Sequence, residues 1–103
     1  MHVIAKSALV KFWNTQPAGH PRKAAQTAMT EWYATVSDAR WQDLSELKKT
    51  FNSADDVTGG KVVFDVGGNT YRIVGLVGYR TQRIFILFVG THAEYDAIRV
   101  EDI

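Results

Sequence analysis

The strongest constraint on the fold is a change of pattern at Lys61. Before it, apolar residues recur every three or four positions; after it, residues 61–66, 70–79 and 84–89 are rich in Val, Ile, Phe and Tyr. Gly67-Gly68 separates the first two runs and Thr81-Gln82 the last two, which predicts a meander of three antiparallel strands. Helices followed by strands, with no alternation between them, indicate an α+β chain whose helices pack on one face of an antiparallel sheet.

The first half supplies those helices. Residues 2–5 are short, apolar and β-branched, as befits a leading strand. Ser7 is placed to cap a helix carrying Leu9, Phe12 and Trp13, and Pro17, Ala18 and Gly19 end it. Pro21 suits the first turn of a second helix of about four turns, with Ala25, Ala28, Met29, Trp32, Tyr33 and Val36 as its apolar stripe. Asp43 can cap a short third helix through Leu44 and Leu47, and residues 52–60 read as a polar loop. Trp13, Trp32 and Trp41 are expected in the core.

Two-residue turns would set the faces of the sheet. Phe64 then faces Tyr71 and Val62 faces Ile73, with Ile84, Ile86 and Phe88 on the same apolar side. The other face carries Lys61, Val63, Asp65, Arg72, Val74 and Leu76, joined by Phe85, Leu87, Val89 and Thr91. Leu87 lies opposite Leu76 in this register. Thr91 and Glu94 have the spacing of a capping box, so a short last helix should begin at His92 and hold His92, Tyr95 and Asp96 on one side.

Composition narrows the function. At 103 residues the chain is one domain, 1–103, too small for a separate cofactor domain. It has no cysteine and three histidines, which leaves no thiol chemistry and no expectation of a structural metal site or cofactor. Residues 84–90 form the longest apolar run, far short of the roughly 20 needed to cross a bilayer, and the start lacks the features of a signal peptide. A cytoplasmic, membrane-free chain is expected. The net charge of +1 conceals an uneven distribution: residues 61–90 hold four cations and one anion, residues 91–103 one cation and four anions.

Four residues stand out for chemistry. The positive end of a helix dipole at His92 favours a neutral ring able to accept a proton; a surface histidine that merely follows a cap would look the same. Arg72, in mid-strand on the uncovered face, can hold a phosphate through two parallel hydrogen bonds or can form a salt bridge to Asp65. Lys61 shares that face and that ambiguity. Tyr95 can stack on a base, pass a proton, or simply pack on the sheet. Gly67, Gly68 and Asn69 precede no helix and read as turn residues, not as a phosphate cradle. No serine has the context of a nucleophile elbow.

The segments Thr91-His92-Ala93-Glu94-Tyr95-Asp96, preceded by Phe88-Val89-Gly90, and Val62-Val63-Phe64-Asp65-Val66-Gly67-Gly68-Asn69-Thr70-Tyr71-Arg72 resemble the HigB family of toxins, within the RelE-like mRNA interferase superfamily. The likeness extends to the start His2-Val3-Ile4-Ala5-Lys6, the Phe12-Trp13 pair and Trp41. It implies a RelE-like fold and ribosome-dependent cleavage of mRNA. It also implies a HigA-like antitoxin with a helix-turn-helix, which neutralises the toxin and binds operator DNA in complex with it. By position, Arg72 matches a strand arginine set against the scissile phosphate, Lys61 a basic position in the same hairpin, and His92 and Tyr95 the proton-transfer motif. Two positions depart from the pattern: Leu87 stands where the family often has a basic residue, and Asp65 where it often has asparagine. Both departures imply a weaker grip on RNA. The competing readings are a catalytically weakened relative that only binds antitoxin or RNA, and a small ligand-binding α+β domain.

Overall fold

The computed structural model describes residues 1–16 and 20–103. Its elements are β1 (His2–Ile4), α1 (Lys6–Asn14), α2 (His20–Asp38), α3 (Leu44–Thr50), β2 (Asp55–Thr58), β3 (Lys61–Val66), β4 (Tyr71–Gly78), β5 (Arg83–Thr91), α4 (His92–Asp96) and a terminal 3₁₀ turn at Val100–Asp102. The strands form one sheet in the order β1-β5-β4-β3-β2, antiparallel except where β1 runs parallel to β5. The α+β architecture expected from the sequence is present, with α1, α2 and α3 on one face and Tyr95 of α4 packed against the other.

Each helix buries the stripe its spacing dictates. Leu9 and Phe12 of α1 are buried, as are Ala25, Ala28, Met29, Trp32 and Val36 of α2. Phe64, fully enclosed, packs edge-to-face with both Trp32 and Phe51, with ring centroids 5.4 and 5.2 Å away. The Met1 amino group donates to the carbonyls of Val36 and Ser37 at the end of α2, where the helix leaves its last acceptors free. Asp43 caps α3 by accepting from the Glu46 amide, as its position predicts. Ser7 does not cap α1: the N-cap is Ala5, two residues earlier, and the helix has no side-chain cap. The expected stop at Pro17, Ala18 and Gly19 lies outside the described residues.

Three features of the sheet differ from the sequence reading. The stretch expected to be a polar loop contains β2, an exposed edge strand whose sequence, Asp-Asp-Val-Thr, has no apolar alternation to betray it. Both hairpin loops have four residues instead of two. Gly67, Gly68 and Asn69 all take positive φ (64°, 63° and 76°), prolonging the first turn, so Val66 pairs with Tyr71 and Asp65 with Arg72. A slip of two residues keeps every side chain on its expected face but changes its partner. In the second loop, Gln82 at φ 55° donates through Nε2 to the carbonyls of Trp41 and Tyr79, at 2.7 and 2.6 Å.

The third difference does move side chains. Gly75 pairs with Ile86 and Val74 with Phe88, leaving Leu87 as an extra residue in a bulge. Phe88 therefore turns to the outer face beside Val74, and Val89 turns inward to join the helix-side core. Leu76 lies opposite Phe85, not Leu87. The outer face is also less open than expected, because Val100 and Ile103 fold back onto Val63 and Val74 with Leu87, Phe88 and Tyr95.

Beside the second loop, the Tyr79 hydroxyl is buried with no partner among the described residues. Burial, and then the charges of Asp56 and Asp43, raise its phenol above the ordinary value of 10.0. The unfolded chain thus ionises first, so this contribution to stability is intact below that ordinary value and is lost as pH rises through the folded one. Tyr79→Phe, which removes a hydroxyl lacking a bond, is expected to match or exceed the parent's stability at neutral pH by up to about 1 kcal/mol. Thermal unfolding of the two chains should diverge further above about pH 10, with the phenylalanine variant losing less.

Candidate active site

Arg72 sits near the start of β4, between Asp65 on β3 and Gly90 on β5. The register places the carboxylate directly across from the guanidinium, and Asp65 Oδ1 accepts from Arg72 Nε at 3.0 Å. Nη1 faces the carbonyls of Asn69 and Tyr71 at 3.4 and 3.5 Å. The side chain of Arg72 is only 11 % exposed, that of Asp65 29 %.

Gly90, on the other side, leaves the space through which the last helix approaches. A Cβ there would stand 2.5 Å from the Phe88 ring and 3.2 Å from Glu94 Cβ. The bulge at Leu87 and the bare Gly90 together let Phe88 tilt against Tyr95, their centroids 6.3 Å apart, and the Tyr95 ring in turn lies over Arg72 with the guanidinium carbon 5.9 Å from its centroid.

The start of α4 is fixed from three directions. Thr91 Oγ1 accepts from the Glu94 amide and Glu94 Oε1 accepts from the Thr91 amide, completing the expected capping box. The His92 amide donates to the Thr70 carbonyl at 3.0 Å, tying the helix to the strand end that carries Arg72. One turn on, Asp96 Oδ2 lies 3.0 Å from His92 Nδ1, so the ring is held through that nitrogen and Nε2 is left for a substrate. His92 is 47 % exposed.

Arg72, His92 and Tyr95 are thus gathered at one end of the sheet, Arg72 largely sheltered and His92 open to solvent. Lys61 is elsewhere. It pairs with Leu76, four residues along β3 from Asp65, or roughly 13 Å at strand rise. Its ammonium donates to the main-chain oxygens of Val100 and Ile103 at 3.1 and 2.6 Å, fastening the terminal segment to the sheet. The tether was beyond sequence reading because it joins residues some forty positions apart. Asp65 and Asp96 were visible as neighbours of Arg72 and His92; Phe88 was not, since the bulge that aims it has no signature in the residues.

Two clefts flank the site. One, of about 690 Å³, lies between α2 and the first hairpin loop and is lined by Lys23, Thr27, Gly67 and Thr70 among others; the second, of about 470 Å³, runs between α1 and β5, past Lys11, Gln16, Phe88 and Glu94. Among the described residues, no three His, Cys, Asp or Glu side chains are grouped so as to hold a metal ion, and no helix is long and apolar enough to cross a membrane.

Residues 25–98 match the sequence profile of the HigB toxin, described as the RelE-like toxic component of a toxin–antitoxin system. The chain belongs to the HigB family. The mRNA interferase toxin HigB of Escherichia coli K12 is 31 % identical over 98 residues, which cover 93 % of this chain and 88 % of that protein. The mRNA interferase HigB of Shigella flexneri shows the same figures. A second such protein, from Escherichia coli O6:H1, is 24 % identical over 100 residues, covering 95 % of this chain and 91 % of its own length. The resemblance seen in the two C-terminal HigB motifs therefore extends over nearly the whole chain.

Gly90 offers a direct test of how this site is assembled. Gly90→Ala forces the Phe88 ring or α4 to move, and is expected to cost about 1–3 kcal/mol in urea unfolding. Ring-proton shifts of Phe88 and Tyr95 should change with it.

Proposed function

We propose that this HigB toxin is an mRNA endoribonuclease that cuts at the end of the sheet occupied by Arg72, His92 and Tyr95. The observation that carries the reading is the convergence there of a sheltered guanidinium, an aromatic ring lying over it and an exposed, carboxylate-held imidazole. The ribose 2′-hydroxyl attacks the adjacent phosphorus while one group removes its proton. The bond to the 5′-oxygen breaks as another group protonates that oxygen, leaving a 2′,3′-cyclic phosphate and a 5′-hydroxyl. Arg72 stabilises the charge that grows on the phosphoryl oxygens. His92 Nε2 is the first candidate for acid or base, and Tyr95 either shares the proton transfer or stacks on a base. Each flanking cleft holds one lysine and one glutamate beside its neutral side chains, so neither adds net positive charge to the site.

Electrostatics favour dependence on the ribosome. Arg72 shares its end of the sheet with the carboxylates of Asp65, Glu94 and Asp96, and the RNA contact first expected of Lys61 meets an ammonium already engaged by main-chain oxygens. So few free cations release few counterions, and affinity for isolated RNA is correspondingly small. A ribosome that holds and presents the message supplies what the toxin lacks. The toxin acts in the cytoplasm. Its partner is a HigA-like antitoxin bearing a helix-turn-helix, through which the pair binds operator DNA.

Cleavage of a defined message, with and without ribosomes, tests this reading. Arg72→Ala is expected to slow cutting about 10²- to 10³-fold, and His92→Ala about 10²- to 10⁴-fold. Tyr95→Phe separates the roles of Tyr95, since it keeps the ring and loses the hydroxyl. Growth arrest that survives both alanine substitutions would instead identify a binding module that acts without cutting.

A further inference from the structure

Arg72 is restrained on more sides than a phosphate-gripping arginine requires. A guanidinium has five N–H bonds, one on Nε and two on each Nη. Asp65 takes the Nε–H at 3.0 Å, the carbonyls of Asn69 and Tyr71 face Nη1, and Tyr95 covers one plane of the group. The Nη2 edge is what remains.

We propose that Asp65 is a positioning residue for cleavage: its carboxylate locks Arg72 through Nε, so that the substrate phosphate meets only the Nη2 edge. The proposal rests on the reading of Arg72 given above. Of the two faces a guanidinium offers for a bidentate grip, the Nε/Nη2 side is occupied by Asp65 and the Nη1/Nη2 end is partly engaged by carbonyls. A phosphate in its ground state therefore gains a single-point contact, opposed by the negative charge just behind it. What the arrangement secures is orientation. A guanidinium already fixed where charge develops needs no reorganisation as the phosphoryl oxygens become more negative, and interactions that strengthen only then raise kcat rather than lower KM. Asp65 thus raises both kcat and KM.

Asparagine keeps an oxygen to receive Nε–H but removes the charge, whereas alanine removes both. In whichever format supports cutting by the parent chain, free RNA or programmed ribosomes, single-turnover rates across a concentration series separate the two effects. Asp65→Asn is expected to lower the half-saturating concentration roughly three- to tenfold, by removing a like charge near the phosphate, with the maximal rate close to that of the parent. Asp65→Ala is expected to lower the maximal rate about ten- to a hundredfold through loss of orientation, without raising the half-saturating concentration. The Arg72 Nε–H proton, followed by NMR, should resist solvent exchange in the parent and in Asp65→Asn, and lose that protection in Asp65→Ala.

Maximal rates unchanged in Asp65→Ala, or an asparagine variant as slow as the alanine one at equal thermal stability, would overturn the proposal. Should the alanine variant fail to fold, the asparagine variant still decides: an unchanged half-saturating concentration overturns it. Arg72→Ala and His92→Ala, run in parallel, show whether a failure belongs to Asp65 or to the site itself. If those two retain full activity, the underlying assignment of Arg72 falls; if they are inactive while Asp65→Ala is not, only the positioning role falls.

Discussion

The register of β4 between β3 and β5 is the constraint on which the candidate site depends. β4 is the middle strand, hydrogen-bonded on both sides, so fixing its two neighbours fixes what stands beside Arg72: a carboxylate at Asp65 on one side and the bare backbone of Gly90 on the other. A strand paired along both edges cannot slip by one residue without exposing Phe64 and Ile73, both fully buried. The chemistry at the strand end is held in place by packing on the opposite face of the same sheet.

Much of this was legible in the residues. The apolar stripe of α2, the Asp43 cap, the capping box at Thr91 and the alternation along β3 and β4 each follow a local rule with a fixed period. These placed Arg72 and Asp65 on one face and His92, Tyr95 and Asp96 on one side of a helix. What escaped depended on geometry the residues do not encode locally. Gly67-Gly68 looks like a two-residue turn, and only the left-handed backbone at Asn69 makes it a four-residue one. A bulge needs one extra residue anywhere along β5, and nothing in Ile-Leu-Phe-Val singles out Leu87.

Charge counting illustrates a second limit. The surplus of cations on residues 61–90 suggested a positive face, yet two of the four are committed within the fold, Lys61 to terminal main-chain oxygens and Arg72 to Asp65. Arg80 and Arg83 lie at the far end of the sheet, by the second loop. Net charge over a segment says little about a site until the internal partners are known.

The margins of the sheet carry their own consequence. On β2, Asp55 and Asp56 put two carboxylates on the free border, Val57 is left over where the ladder skips a position, and the strand has only four residues. A border so short, irregular and anionic is a poor template for a further strand from another molecule, and repels an identical one. Sheet growth is blocked at this border by construction, so the β2 side of the toxin turns away a strand offered by any other molecule.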